Sequence, residues 1–323
     1  MCTAISYKTK DHYFGRNLDL EYTYNETVTI TPRMYPFTFG YVKSLPEHYA
    51  MIGMATVTNQ YPLYYEATNE CGLSMAGLNF PGNAVYLSKK ESADNISPFE
   101  FIPWILSQCK TVAETRLKLE NLNLIDTPFS EELPNTPLHW MISDSTEAIT
   151  VEQTAGGLSV YDNPAGVLTN NPPFDFHMYN LSNYLNLTHE EPINRFTNKL
   201  DLAPYSRGMG AIGLPGDLSS ASRFIKAAFT KLNSVSDNSE NSSISQFFHI
   251  LGAVEQQRGC VKVNGLFEKT VYSSCCNTDQ GIYYYKTYEN SQITGIHMFH
   301  ENLNTDKLIT FPLIAQQQIQ MEN

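Results

Sequence analysis

Met1-Cys2-Thr3-Ala4-Ile5-Ser6-Tyr7 and Tyr13-Phe14-Gly15-Arg16-Asn17-Leu18-Asp19 flank a turn-like Lys8-Thr9-Lys10-Asp11. Two extended stretches around a short polar turn read as a β-hairpin that opens the fold. Antiparallel pairing brings the end of the second arm back beside the start of the first. Arg16 and Asp19 are therefore expected next to Cys2. In isolation such a pair of charges reads as a surface ion pair on a hairpin. Beside Cys2 it gains a second reading, in which Asp19 holds an α-amine and Arg16 lowers the thiol pKa.

The position of Cys2 gives that second reading its chemistry. Cysteine is small enough for a methionine aminopeptidase to remove Met1. Removal leaves one residue carrying both a thiol and a free α-amine. Their unperturbed pKa values are about 8.5 and about 7.7–8.0, so the amine can act as base for its own nucleophile. A cysteine at position 2 is weak evidence alone, because many chains carry one by chance.

Outward from the hairpin, Thr27–Thr31 reads as a strand ended by Pro32. Ser97-Pro98-Phe99-Glu100 combines a cap residue, proline at the first helical position and glutamate three residues on from the cap. Phe101, Trp104, Ile105 and Leu106 follow at helical spacing. Thr111-Val112-Ala113-Glu114 repeats the cap and starts a second helix running to about Leu119. Residues 139–143, 148–153 and 158–161 read as an antiparallel meander. Two more helices are expected over 220–232 and 245–257, the latter stopped near Gly259. Strands over 271–276, 282–288, 292–298 and 308–313 close the chain. Segregated runs of this kind predict an α+β fold, with two antiparallel sheets between helical layers. No repeat or linker interrupts the sequence, so residues 1–323 are expected to form one domain.

Of the 323 residues, 42% are hydrophobic and the net charge is −12; mean hydropathy is −0.30. An acidic chain argues against nucleic acid and anionic membrane surfaces as partners. No apolar run approaches the roughly 18–20 residues of a membrane span. No basic leader followed by a long apolar stretch begins the chain, so a cytoplasmic location is expected. The six cysteines, at 2, 71, 109, 260, 275 and 276, form no CxxC pair and lie at no metal-ligand spacing from histidine. Neither a metal nor another cofactor is expected. Cys275 and Cys276 should point to opposite faces of a strand as reduced core residues. His139, at a strand start, reads as structural. The tyrosines of Tyr22-Thr23-Tyr24 and Gln60-Tyr61-Pro62-Leu63-Tyr64-Tyr65 suit either core packing or the wall of an apolar pocket. Tyr22, Tyr24, Tyr61, Tyr65 and Phe129 are the candidate pocket residues, with Leu133 beside them.

At its hairpin the sequence resembles the choloylglycine hydrolase family, which holds bile salt hydrolases and penicillin V acylases. The resemblance continues through Asn69-Glu70-Cys71-Gly72-Leu73-Ser74-Met75-Ala76-Gly77-Leu78-Asn79-Phe80, Gly166-Val167-Leu168-Thr169-Asn170-Asn171-Pro172 and Gly213-Leu214-Pro215-Gly216-Asp217-Leu218-Ser219-Ser220-Ala221-Ser222-Arg223-Phe224. It implies the αββα sandwich of N-terminal-nucleophile hydrolases, a homotetramer, and hydrolysis of glycine- or taurine-conjugated bile acids through a thioester. Cys2 then matches the nucleophile and Arg16 and Asp19 the pair beside it. Asn79 and Asn170 match the residues that bind the oxyanion, with Asn171 the alternative to Asn170. Arg223 matches a second supporting arginine. Penicillin acylases of the family tend to carry tyrosine where this chain has Asn79, so the resemblance favours bile salts over penicillin V.

Overall fold

The computed structural model describes residues 1–323. Its strands in chain order are β1 (Cys2–Lys8), β2 (His12–Leu20), β3 (Thr27–Thr31), β4 (Met51–Thr58), β5 (Tyr61–Asn69), β6 (Ser74–Asn79), β7 (Asp94–Ile96), β8 (Leu122–Leu124), β9 (Leu138–Ser143), β10 (Ala148–Thr154), β11 (Gly157–Asp162), β12 (Val167–Leu168), β13 (Val261–Val263), β14 (Leu266–Asn277), β15 (Ile282–Thr287), β16 (Asn290–His297) and β17 (Ile309–Pro312). The helices are α1 (Pro98–Leu106), α2 (Val112–Leu119), α3 (Phe174–Asn180), α4 (Ser220–Asn233) and α5 (Glu240–Gly252). One sheet runs β12-β1-β2-β14-β15-β16, with β13 on β14, and the other runs β11-β10-β9-β6-β5-β4-β3-β17. Helices α4 and α5 cover the first sheet and α1 covers the second, while β1 and β2 face β5 and β6 between them. This is the expected αββα layering. No helix is long and apolar enough to cross a membrane.

The opening hairpin forms as expected and lies inside the first sheet. Its register pairs Cys2 with Leu18, Thr3 with Asn17 and Ala4 with Arg16. Because this sheet is covered on both faces, β1 and β2 are buried almost throughout, and their sequences lack the alternation of a one-sided sheet. Directly paired residues share a face, so Cys2, Ala4 and Arg16 look toward the second sheet. Thr3, Asn17 and Asp19 look toward the helices: Asn17 Nδ2 donates to Leu251 O of α5 at 3.0 Å.

The capped helices begin where their sequences predict. Ser97 N–H donates to Glu100 Oε2 at 3.0 Å, and Thr111 Oγ1 accepts from Glu114 N at 3.2 Å. Helix α5 corrects the expected span of 245–257 by five residues at each end. Ser239 caps it by accepting from Ser242 N at 3.2 Å. At the far end Gln256 bonds Thr270 of β14 through both its N–H and its carbonyl, which draws the chain into the sheet before Gly259. Strands β4 to β6 were not anticipated. The β4–β5 turn places Asn59 and Gln60 at φ 52° and 62°, a hairpin turn made without the glycine that normally signals it. Cys275 lies toward Glu240 of α5 and Cys276 toward Thr68 of β5, as a strand requires; burial raises both thiol pKa values, that of Cys276 to about 12.

Gly15 lets β2 approach β14. A Cβ there would lie 2.0 Å from Ser274 O, a backbone atom that cannot step aside. Gly15→Ala should therefore cost about 3 kcal/mol or more of stability, the upper end for overpacking, and misplace Arg16. Equilibrium urea unfolding checks this; a midpoint equal to that of the unaltered protein would refute it.

Candidate active site

Cys2 begins β1 and is buried. With Met1 attached, its nitrogen is a peptide amide occupying the place an α-amine takes once Met1 is gone. That N–H donates to Asn170 Oδ1 at 2.8 Å, and Cys2 O accepts from Arg223 Nη1 at 2.5 Å. The Met1 ammonium donates to Asp19 O at 2.6 Å and to Glu268 Oε1 at 2.5 Å. Met1 O in turn accepts from Asp19 N at 2.9 Å.

Asn170 is delivered by the edge strand. β12 pairs with β1 through Ala4–Leu168 and Ile5–Val167, so Thr169 and Asn170 run off beside Cys2. Every polar group of Asn170 is engaged. Its N–H donates to Ser220 Oγ at 2.8 Å, its Nδ2 donates to Asn79 O at 2.7 Å, and its carbonyl lies 2.9 Å from His177 Nε2. Its Oδ1 also accepts from Arg223 Nη2 at 2.8 Å. The side-chain amide of Asn171 instead donates to Pro81 O at 2.6 Å and does not reach Cys2.

Both arginines are fully buried, and each is anchored differently. Arg223 sits one turn into α4, which Ser219 caps. Besides Cys2 O and Asn170, it donates from Nη1 to Thr3 Oγ1 at 2.7 Å and from Nε to Leu218 O at 3.0 Å. Burial holds its pKa below the usual value, against the pull of Asp19 and Cys2. Arg16 donates from Nη1 to Gly77 O at 2.5 Å and to Tyr65 O at 3.1 Å, and its Nη2 has no partner. Burial opposes its charge too, but Cys2, Tyr272, Glu66 and Asp19 together hold its pKa above the usual value. Asp19 Oδ1 accepts from Thr270 Oγ1 at 2.6 Å, while Oδ2 is buried without a partner. Burial pushes this carboxyl up, opposed first by Arg223 and then by the terminal amine.

Asn79 ends β6, and its carbonyl is the acceptor for Asn170. Its Oδ1 is buried without a partner, and its side chain makes no hydrogen bond to the protein. The six predicted residues thus gather at one place. Cys2, Asn170 and Arg223 bond one another; Asn79 joins through Asn170; Asp19 joins through the Met1 backbone. Arg16 shares the Cys2 face and holds Gly77, two residues before Asn79.

The aromatic candidates divide into two groups. Tyr22 and Tyr24 are exposed, pack edge to face at 5.2 Å, and connect through Thr56 to Tyr65. Tyr61 and Phe129 form a separate cluster with Phe99 of α1, at centroid distances of 5.2–5.8 Å. A cavity of about 820 Å³ opens elsewhere, between Arg33, His48, Glu70, Cys71 and Lys110, and holds none of the six residues; the site is located by its chemistry, not by that volume. His139 is structural, as expected: it bridges Glu152 and Thr169 O at 2.9 Å each and stacks on Phe80. Sequence reasoning missed Glu66, Glu268, Ser220 and Thr270. Ser220 was legible only as the start of an expected helix, and the other three sit on strands where nothing local marks them.

The family model for linear amide C–N hydrolases of the choloylglycine hydrolase family matches residues 2–311. The chain belongs to the choloylglycine hydrolase family. It is 56% identical to the bile salt hydrolase/transferase of Lactiplantibacillus plantarum, over 98% of each chain. Among solved structures, the conjugated bile acid hydrolase of Clostridium perfringens superposes with a TM-score of 0.93 at 40% identity, covering 100% of both chains. Penicillin V acylase from Agrobacterium tumefaciens shares the fold, with a TM-score of 0.75 at 17% identity over 96% of this chain and 91% of that one. The chain thus has the N-terminal-nucleophile hydrolase fold that the resemblance implied.

The bonding separates the two adjacent asparagines. Asn170→Ala leaves Nη2 of the buried Arg223 and the Cys2 nitrogen without an acceptor and should cost roughly 2–4 kcal/mol. Asn171→Ala removes one bond at the edge of the site and should cost about 1 kcal/mol or less. Chemical denaturation of the two variants checks the contrast, which equal losses would contradict.

Proposed function

We propose that this chain is a single-domain bile salt hydrolase whose nucleophile is Cys2 after removal of Met1. The observation that carries the reading is a buried N-terminal cysteine whose nitrogen is held by Asn170 and whose surroundings contain two buried arginines. Its likeness to hydrolases of conjugated bile acids supplies the substrate class.

The chemistry follows from the groups present. The α-amine of Cys2 takes the thiol proton, and the sulfur attacks the amide carbonyl carbon. Negative charge moves to the carbonyl oxygen. The uncommitted amide of Asn79 is the donor best suited to receive it. The amine then protonates the leaving nitrogen, the C–N bond breaks, and glycine or taurine departs. Water attacks the thioester, its proton passes to the amine, and the C–S bond breaks to release the free bile acid. The hydrogen bonding supports different roles for the two asparagines: Asn79 binds the oxyanion, whereas Asn170, with its Nδ2 already given to Asn79 O, orients Cys2 and Arg223. Asp19, with an unpartnered buried oxygen, suits the ammonium form of the Cys2 amine. A relative named hydrolase/transferase supports a second outcome, in which an amino acid's amine takes the acyl group in place of water.

Exposed Tyr22 and Tyr24 beside Tyr65 suit one wall for the flat apolar acyl group, and Tyr61 with Phe129 another. Penicillin V is the less favoured substrate, since Asn79 stands where the penicillin acylases tend to carry tyrosine. We further propose a homotetramer. Its support is the apolar surface around α3 and the following loop, where Tyr179, Leu185, Phe196 and Tyr205 are 78–85% exposed. A cytoplasmic location fits six free cysteines and a chemistry that needs a reduced thiol.

Cys2→Ala should fold normally yet release no amino acid from glycocholate, and an uncleavable extension before Cys2 should abolish turnover where a C-terminal one does not. Full activity in protein whose mass retains Met1 would sink the amine-as-base mechanism.

The acyl pocket distinguishes the candidate substrates. A steroid buries far more apolar area than a phenoxyacetyl group, at about 25 cal/mol per Å² before ordering costs. kcat/KM for glycocholate or taurocholate should exceed that for penicillin V at least about tenfold. Parallel assays of the three substrates decide it, and a preference for penicillin V would transfer the chain to the acylase branch.

A further inference from the structure

Glu66 is a carboxylate buried between the sheets that the mechanism above does not use. A β-bulge puts it there. β4 and β5 pair Met54 with Glu66 but Ala55 with Tyr64, so Tyr65 is the extra residue. Met54 belongs to the core between the sheets, whereas Ala55 and Tyr64 belong to the core under α1. The bulge therefore lets consecutive residues serve the inner layer: Tyr65 offers its carbonyl to Arg16, and Glu66 turns its side chain inward.

Three hydroxyls from the opposite sheet converge on that carboxylate. Tyr283 and Ser274 donate to Oε1 at 2.5 and 2.9 Å, and Tyr272 donates to Oε2 at 2.7 Å. Arg16 Nε lies 3.9 Å from Oε2, and Glu66 is the one carboxylate in ion-pair range of that guanidinium. A guanidinium stays charged in the interior, so its buried charge requires a partner. Burial pushes the Glu66 carboxyl up, and Arg16 with the three hydroxyl donors opposes that by favouring the ionised form.

We propose that Glu66 is a positioning residue for the Cys2 site: as the counter-charge of Arg16, it fixes the guanidinium and limits how much positive potential reaches the Cys2 thiol and amine. The proposal rests on the reading of Cys2 as nucleophile. The other charged or titratable groups around the Cys2 site are Asp19 on β2, Arg223 on α4, Glu268 against the Met1 ammonium, Tyr272 on β14 against Glu66, and the terminal amine. Those facing Glu66, besides Arg16, are Tyr272, Tyr283 and Cys276. Replacing Glu66 with a neutral isostere leaves Arg16 uncompensated. Both the thiol and the amine then lose their protons at lower pH, so the sign of the effect does not depend on which group limits the acid side.

The test measures, in the protein lacking Met1, the pH dependence of Cys2 alkylation by iodoacetamide, followed by mass, and of kcat/KM for glycocholate. Glu66→Gln should move both acid midpoints down by about half a unit or more. Tyr272→Phe and Tyr283→Phe remove donors that keep Glu66 ionised. They should move the midpoints the same way by less, and they carry the test if Glu66→Gln does not fold. A purely structural role would lower yield or stability without moving either midpoint. Unmoved or raised midpoints in folded variants overturn the proposal while Cys2→Ala remains inactive. Turnover by Cys2→Ala would instead overturn the reading beneath it, and the proposal with it.

Discussion

Everything at the site depends on pairing β1 with β2 inside a sheet covered on both faces. That register puts Cys2 at a strand end and Arg16 on the same face. Arg16 on β2 and Arg223 on the covering helix α4 are both buried. Burying a guanidinium costs several kcal/mol unless its donors are satisfied. The fold meets this mainly with backbone oxygens: Gly77, Tyr65 and Asn17 for Arg16, and Cys2 and Leu218 for Arg223. Carbonyls on strands and helix ends cannot drift as side chains do, so the charges are held rigidly. This is the preorganisation that makes fixed charge useful to a reaction.

The division of the two faces of β2 gives Arg16 and Asp19 separate tasks. Arg16 looks into the inter-sheet layer where the thiol lies. Asp19 looks toward the helices, where its carboxylate accepts from Thr270, and its backbone pairs with Met1. Read from the hairpin, both were expected beside Cys2, Asp19 on the amine and Arg16 on the thiol; the parity of their spacing puts them on opposite faces, because positions 16 and 19 differ by an odd number. Arg223 links the sides. One of its nitrogens holds Cys2 O and the other the asparagine that receives the Cys2 nitrogen.

How much was legible follows from the range of each signal. Caps are local, so Ser97 and Thr111 marked their helices to within a residue or two. The hairpin was legible because its turn is polar and its arms are short. Helix α5 was displaced because Gln256 answers to Thr270, a partner fourteen residues away that no helical pattern records. Strands β4 to β6 were missed because Asn59-Gln60 lacks a turn glycine and because a sheet buried on both faces erases alternation. The six site residues were legible through resemblance, apart from the hairpin three, which also followed from chemistry. Glu66 was invisible for a further reason: a bulge changed the face it would have taken.

The structure with Met1 in place also bears on maturation. The Met1 ammonium is paired with buried Glu268, and its carbonyl is held by Asp19 N–H. The hydrogen bond from the Cys2 nitrogen to Asn170 is already formed, and Asn170 is already fixed by Ser220 and Arg223. On the proposed mechanism, removing Met1 moves a positive charge by one residue, where Asp19 Oδ2 is buried and uncommitted. Little else has to rearrange. On the proposed mechanism, the folded chain needs the loss of one residue, not a change of fold, to place thiol, base and carboxylate together.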